Sequence, residues 1–352
     1  MKRYIIPIFI PHYGCRHNCI FCNQQKITGK DTPVKSLEVQ SIIDEQLARI
    51  SEERHVEVAF YGGSFTALSL KVQADLLKPA YQAFINRRIQ GIRLSTRPDC
   101  ITGDIVHHLA EWGVSTIELG VQSLDDRVLQ ASGRGHTAGN VVEAVPLIKK
   151  SGILCGLQLM PGLPLEDWKS LIHTARGVLR LAPDFVRIYP TLVIEDTPLA
   201  DQYRKGSYRA LSLADGIRRG AYLKLLFEQY NIPTIRTGLQ ATEELDKGNI
   251  IVAGPYHPAF GELVESYLFY IMLVRFIEFL SPIARQDSVI VHHHPQDTSK
   301  LRGLHSNNIK EIKNTYGLTR LILKQDGVNK DQIEIEYNNL CYVFNKKMIF
   351  SL

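Results

Sequence analysis

The sequence predicts an α/β fold in which a partial (β/α)6 TIM-like barrel is followed by a helical extension and a small α+β unit. Short apolar runs alternate with amphipathic runs of helix length through the first part of the chain. Segments of unusual composition directly follow the apolar runs, as expected where parallel strands all end at one mouth. Longer helices then replace this alternation, so we divide the chain into 1–200, 201–285 and 286–352.

The apolar runs predict the strands of the barrel, and the amphipathic runs between them predict its helices. The predicted strands are Ile5–Pro11, Val56–Tyr61, Ile92–Ser95, Thr116–Val121, Leu154–Met160 and Phe185–Tyr189. The predicted helices are Lys35–Ile50, Leu70–Arg87, Ile105–Trp112, Asp125–Ala131, Asn140–Lys150 and Leu165–Leu181. Six strands with helices between them are typical of a parallel sheet curled into a partial barrel.

The remaining chain predicts two further parts. In the extension, helices Leu211–Tyr230 and Phe260–Leu280 flank Pro233 and the loop Gly254–Pro258. The predicted elements of the α+β unit are strand Val289–His293, helix Asn308–Tyr316, and strands Thr319–Leu323, Ile333–Tyr337 and Cys341–Phe344.

The composition indicates a globular, cytoplasmic protein that does not enter a membrane. Hydrophobic residues make up 45% of the 352 residues, which is enough for a buried core. The apolar run Ile5–Pro11 is too short to span a membrane and ends without a small-residue cleavage site. Five basic residues precede the first acid, Asp31, so this region suits a phosphate-rich ligand or forms an ordinary solvated face.

Three of the six cysteines, Cys15, Cys19 and Cys22, have the spacing CxxxCxxC directly after the first predicted strand. Such clustered thiols indicate a metal site, and thiolates are the ligands of iron-sulfur clusters. With three thiolates a four-iron cluster keeps one iron open. The amino and carboxylate groups of a methionine moiety can chelate an iron of this kind.

Two alternatives to a cluster stay open on spacing alone. A structural zinc site usually shows paired CxxC elements, whereas Cys100, Cys155 and Cys341 are solitary. The other alternative is three unligated core cysteines, for which the polar Arg-His-Asn insert is poor core material.

The cysteine motif, with Phe21 just before its third cysteine, resembles that of the radical S-adenosylmethionine (SAM) superfamily. This resemblance implies that Cys15, Cys19 and Cys22 bind a 4Fe-4S cluster, which cleaves SAM to methionine and a 5'-deoxyadenosyl radical. It also implies an electron donor such as a flavodoxin or ferredoxin. Phe21 is implied to lie near the adenine of SAM; the alternative is that it packs under the loop.

Loops after the later strands extend the resemblance. Gly62 and Gly63 stand where the family uses a glycine pair to let the backbone approach the methionine amino group, although a Gly-Gly pair is also an ordinary turn. In oxygen-independent coproporphyrinogen oxidases a glutamine and an arginine twelve residues later contact the cofactor, and Gln122 and Arg134 keep that interval. Two further cofactor-contacting positions, acidic in those oxidases, are Ser95 and Gln158 in this sequence.

The phrases Glu118–Thr137, Gln158–Pro164 and Ile188–Leu199 resemble the catalytic subunit of Elongator more closely. That subunit modifies wobble uridine in tRNA, so the resemblance implies tRNA or another RNA as the leading substrate class. Its acetyltransferase domain has no expected counterpart here, because the remaining residues lack an acyl-CoA pyrophosphate loop. Elongator's carboxymethylation is therefore not carried over to this chain.

Three features lie outside this resemblance. Two of them have both a functional and a structural interpretation, and the third has only a structural one. His257, between prolines, contacts a substrate or fixes a turn. The basic loop Ser299–Asn308 resembles a KH-type RNA-binding loop without its second glycine, or caps a helix on a solvated surface. His292–His294 are expected to end a strand, without further metal-like spacing.

Three hypotheses of function follow. The first is a radical SAM enzyme that modifies tRNA or another RNA. The second is a radical SAM enzyme of small-molecule metabolism, acting for example on a tetrapyrrole or a cofactor precursor in a closed anionic pocket. The third is a non-catalytic iron-sulfur scaffold, which forms a cluster without cleaving SAM.

Overall fold

Seven parallel strands form the main sheet in a computed structural model, which describes residues 3–10, 14–15, 17–23, 26, 34–51, 54–239, 250–279, 288–337 and 340–350. The strands are β1 Arg3–Phe9, β2 His55–Tyr61, β3 Gly91–Thr96, β4 Val114–Gln122, β5 Leu154–Leu159, β6 Phe185–Ile188, β7 Val193–Ile194, β8 Thr234–Thr237, β9 Ile251–Ala253, β10 Ser288–His293, β11 Arg320–Gln325, β12 Gln332–Tyr337 and β13 Leu340–Asn345. The α-helices are α1 Ser36–Ala48, α2 Leu70–Ile85, α3 Gly103–Glu111, α4 Asp126–Ala131, α5 Ala138–Lys150, α6 Trp168–Leu181, α7 Pro198–Arg204, α8 Leu213–Gln229, α9 Phe260–Phe279, α10 Thr298–Arg302 and α11 Asn307–Tyr316. Short 3-10 helices cover Phe65–Ala67, Pro98–Cys100, Pro295–Asp297, Leu304–Ser306 and Lys346–Phe350.

The main sheet has the order β1-β2-β3-β4-β5-β6-β8, and its first six strands run in chain order with helices between them. All of its neighbouring strands are parallel. This arrangement confirms the predicted partial barrel.

The seventh strand, β8, falls in the stretch expected to be a helical extension. The sequence does not indicate it, because the strand is only four residues long, follows Pro233 and has no fully buried residue. Its partner in the sheet is β6, where Val186 pairs with Thr234 and Arg187 pairs with Arg236. Because α7 and α8 separate β6 from β8 along the chain, their pairing leaves no local signal in the sequence.

One face of the main sheet is apolar and the other is polar. Residues such as Val58, Leu94 and Ile117 are fully buried on the apolar face, where we infer that the helices cover the sheet. The alternate positions carry charged and polar side chains, including Glu57, Arg93, Ser95, Glu118, Gln158 and Arg187. We call this second surface the polar face; it lines the inside of the curl.

The chain forms two compact units. Unit 1 contains Met1–Ser212 and Ile232–Tyr256, and unit 2 contains Leu213–Asn231 and His257–Leu352. The predicted division of the chain at residues 200 and 285 stays a prediction.

Unit 2 contains a four-stranded sheet of order β11-β10-β12-β13, in which β10 and β11 are parallel and the other pairs antiparallel. Its core joins Phe269 and Phe276 of α9 to Val291 and Ile335 of the sheet. Strand β10 ends at His293, as expected. Of the helices in the described part of the chain, none has the length and apolar character needed to cross a membrane.

Candidate active site

The loop after β1 brings three half-buried thiols, Cys15, Cys19 and Cys22, to the carboxyl end of the sheet. Gly14 lets this loop approach the turn after β2, because a Cβ at this glycine would lie 2.4 Å from the carbonyl oxygen of Ser64. Its φ of +78° also favours glycine. The Cys22 amide donates to the Cys19 carbonyl over 3.1 Å, which closes the turn between these two ligand candidates.

The electrostatics of the loop also indicate that its thiols lie close together. Burial raises the pKa of the Cys15 thiol, and the negative charge of a Cys19 thiolate raises it further. In the described part of the chain, no three Cys, His, Asp or Glu side chains close around a single metal ion. In a four-iron cluster each thiolate binds a different iron, so a cluster does not require the three thiols to surround one ion.

Phe21 anchors the loop from below. Its ring is 8% exposed and packs in a cluster with Val128, Leu163, Val193 and Leu199. Phe21 therefore packs under the loop, and the proximity of Phe21 to the adenine of SAM stays a prediction.

Arg134 and Gln122 converge beside Cys19. Arg134 donates from Nη1 to the Cys19 sulfur over 3.1 Å and from Nη2 to the Gly120 carbonyl over 2.5 Å. Gly120 makes room for both side chains, because a Cβ there would lie 3.2 Å from Arg134 Nη2 and 3.2 Å from Gln122 Nε2. The structure therefore brings Arg134 and Gln122 together next to the cysteine loop, and their contact with the cofactor stays a prediction.

Several buried polar atoms at this position have no protein partner among the described residues. They are Gln122 Oε1, Arg134 Nε and Nδ1 of His136. Buried polar groups normally have partners, so unsatisfied atoms beside half-buried thiols fit the binding of a polar ligand. The donor set of three thiols, a guanidinium and an amide suits an iron-sulfur cluster with a carboxylate-bearing cofactor.

His136 is a residue to which sequence reasoning gave no role. Burial lowers its pKa to about 3, and the charges of Arg134 and Arg97 lower it as well. The ring is therefore neutral at physiological pH. Its Nε2 lies 3.2 Å from the Val121 carbonyl, so we assign the proton to Nε2 and leave Nδ1 as an acceptor.

Gly62 and Gly63 form the turn after β2, as expected. Gly62 has a φ of +103°, a conformation that other residues rarely adopt. The turn leads to Ser64, whose backbone and side-chain hydrogen bonds lower the pKa of Cys15. The glycine pair thus lies beside the cysteine loop.

Glu118 organises the polar face next to this site. This fully buried carboxylate accepts from Arg93 Nη1 over 2.8 Å and from Gln158 Nε2 over 3.0 Å, and it forms an ion pair with Arg187 Nε at 2.9 Å. Arg93 also pairs with Glu57 at 2.7 Å. Local sequence patterns do not reveal this network, because its members come from separate strands.

Gln158 and Ser95 belong to this network. The Gln158 amide nitrogen donates to Glu118 and, over 3.3 Å, to Ser95 Oγ. Because an ionised carboxylate only accepts, the amide nitrogen must face Glu118, and the carbonyl oxygen of Gln158 is left to accept from another group. In the part of the chain that the structure describes, no hydrogen bond joins this pair to Gln122 or Arg134.

The solitary cysteines Cys155 and Cys341 lie on strands and not in the cysteine loop. Burial raises the pKa of Cys155 to about 12, and its backbone amide donates to Asp184 over 2.7 Å. Cys341 is exposed on β13 of unit 2. His257, whose Nδ1 accepts from the Ala259 amide over 3.0 Å, fixes the turn before α9.

Comparison with known proteins identifies the family to which this arrangement belongs. Residues 9–177 match the Radical SAM superfamily, and residues 183–269 match the Radical_SAM C-terminal domain. The chain belongs to the radical SAM superfamily, whose enzymes use a 4Fe-4S cluster and SAM.

Two relatives and one solved structure illustrate the similarity. An uncharacterized protein of Methanocaldococcus jannaschii is 31% identical over 226 residues, or 60% of this chain and 67% of the relative. A tRNA uridine(34) acetyltransferase of the same organism is 28% identical over 246 residues, or 64% of this chain and 44% of that enzyme. The archaeal Methanocaldococcus infernus Elp3 has the same fold, with a TM-score of 0.60, 22% identity, and coverage of 76% of this chain and 62% of that one. The chain thus spans less than half the length of the acetyltransferase.

Proposed function

We propose that this radical SAM enzyme modifies tRNA or another RNA, with Cys15, Cys19 and Cys22 as the cluster ligands. The observation that carries the ligand assignment is the convergence of these thiols with Arg134 and its neighbouring unsatisfied polar atoms. The similarity to tRNA uridine(34) acetyltransferases supports the RNA substrate. A cytoplasmic location and a flavodoxin or ferredoxin as electron donor belong to the same proposal.

The residues of the site have distinct roles in this proposal. When bound, the cluster and SAM supply a one-electron cleavage that gives methionine and a 5'-deoxyadenosyl radical. Arg134 and Gln122 bind the methionine end of SAM, with the guanidinium suited to its carboxylate. The turn at Gly62 and Gly63 offers backbone groups to the amino group, and Gln158 with Ser95 binds cofactor hydroxyl groups.

Anaerobic reconstitution with iron and sulfide tests the cluster assignment. The wild-type protein should form 5'-deoxyadenosine when it is reduced in the presence of SAM. Cys15→Ala, Cys19→Ala and Cys22→Ala should each lose this activity and the cluster's visible absorption, whereas Cys100→Ala should keep both. A wild type that binds a full cluster without cleaving SAM would favour the scaffold hypothesis instead.

The RNA assignment needs point variants, because removal of residues beyond Ser288 would strip Val291 and Ile335 from the core of unit 2. Asn308 is unsuitable, since its amide donates to the carbonyl oxygens of Ser266 and Leu301 and holds the corner between two helices. Arg302 and Lys310 beside this corner are exposed. RNA binding by the loop Ser299–Asn308 stays a prediction, and we choose these two basic side chains to test it.

Binding of labelled total tRNA at low salt measures this role. The double variant Arg302→Ala with Lys310→Ala should bind tRNA about tenfold more weakly, because each lost phosphate contact removes an electrostatic attraction. Lys169→Ala with Lys205→Ala, at exposed positions of unit 1, is the matched control. Absence of retention of both tRNA and labelled total cellular RNA by the wild type would exclude the RNA hypothesis and favour small-molecule metabolism.

A further inference from the structure

Arg236 lies on β8 beside Arg187 of β6, to which it is paired in the sheet. Directly paired residues of parallel strands share a face, so we place Arg236 on the polar face. Its Nε donates to the Gly238 carbonyl over 3.2 Å, which fixes the plane of the guanidinium. The side chain is half-buried.

Among the described residues of this group, Arg236 is the arginine that no carboxylate balances. Glu57 and Glu118 balance Arg93 and Arg187 through the ion pairs described above. No carboxylate in the described part of the chain pairs with Arg236. With no described carboxylate paired to this half-buried guanidinium, the described part of the chain leaves both Nη groups as donors for a ligand.

Tyr189 adds a third donor at the same place. Its hydroxyl oxygen accepts from Arg187 Nη1 over 3.0 Å, and its own proton has no acceptor among the described residues. Burial raises the pKa of Tyr189, while the charges of Arg187 and Arg236 oppose this rise. Arg187, which contacts this phenol and is the partner of Arg236 in the sheet, places the two side chains on one part of the polar face.

We infer that Arg236 and Tyr189 bind an anionic oxygen group of the substrate, either a phosphate or a carboxylate. Two guanidinium donors and one phenol donor match a group with several acceptor oxygens and a negative charge. The inference rests on the proposed function, since it assigns this side of the polar face to the substrate. It adds a substrate-binding site on the one strand of the main sheet that the sequence did not predict.

Calorimetric titration with inorganic phosphate and with acetate tests this site. The protein carries neither SAM nor reductant, so the result does not depend on radical chemistry. Arg236→Gln should weaken binding of the preferred anion by about tenfold, and Tyr189→Phe by about threefold, as expected for the loss of charged and neutral hydrogen bonds. Arg176→Gln, at an exposed position of α6, should bind as the wild type does.

The two anions distinguish the source of the group. Tighter binding of phosphate assigns a phosphate to the substrate, and tighter binding of acetate assigns a carboxylate. Equal binding by Arg236→Gln and Arg176→Gln overturns the inference. If Arg236→Gln does not unfold cooperatively, Arg236→Lys replaces it, because lysine keeps the charge without the planar fork. Arg236→Lys should bind the anion with intermediate affinity. Unchanged affinity in both Arg236→Lys and Tyr189→Phe would also overturn the inference.

Discussion

The cysteine site at the mouth of the partial barrel in unit 1 and a buried cluster of charged side chains in unit 2, the ion cluster, use polar groups in opposite ways. At the mouth, Gln122, Arg134 and His136 each retain a buried atom without a partner among the described residues. In unit 2, Glu265 lies between Lys224 and Lys346, and Lys346 also contacts Asp331. A network that satisfies its own charges stabilises the fold, whereas one with unsatisfied atoms is arranged for a ligand.

The largest effect on stability is expected in the ion cluster. Glu265→Gln leaves two buried lysines without their shared carboxylate and should lower the free energy of unfolding by about 3 kcal/mol. Urea unfolding measures this change, with exposed Glu262→Gln as the control. The affinity of Glu265→Gln for SAM should equal that of the wild type. A loss of SAM affinity in this variant would contradict the difference between the two sites.

The same carboxylate has a defined pH dependence. Burial alone would raise the pKa of Glu265, but Lys346 and Lys224 lower it below its ordinary value. Its stabilising contribution is therefore present above the ordinary carboxyl pKa and is lost as the pH falls through the lowered one. Glu265→Gln should remove this part of the acid sensitivity, which urea unfolding at a series of acidic pH values measures.

The next largest effect on stability is expected from the protonation of His136. Its pKa of about 3 in the folded protein lies below the unfolded value of 6.5, so protonation of the unfolded chain destabilises the fold as the pH falls below 6.5. Between pH 6.5 and about pH 5 this amounts to roughly 2 kcal/mol. Urea unfolding across this range should be flatter for His136→Gln than for the wild type, while exposed His107→Gln should follow the wild type.

The smallest effect is expected from Gly120→Ala. The added methyl group would press on Arg134 and Gln122 without disturbing the rest of β4. We expect SAM to bind the reconstituted protein about tenfold more weakly, or about 1.4 kcal/mol. Gly103→Ala, where a Cβ would meet nothing within 4 Å, is the control. Unchanged affinity in Gly120→Ala would separate Arg134 and Gln122 from SAM binding.

Much of this molecule could be predicted from local sequence. The barrel strands and helices follow from hydrophobic period, and the loop of Cys15, Cys19 and Cys22 follows from spacing. Glu118 could not be recognised, because its role depends on residues of other strands. Asn308 stands in a segment that resembles a phosphate-binding loop, but its side chain bonds to Ser266, 42 residues away.

The interleaving of the two units has a consequence for how the chain is made and altered. The chain leaves unit 1 at Ser212, returns for Ile232–Tyr256 and leaves again at His257. The last strand of the main sheet, β8, therefore emerges from the ribosome only after α8, the first helix of unit 2. Neither unit is one continuous stretch, so neither can be gained or lost in evolution by a simple terminal fusion or truncation.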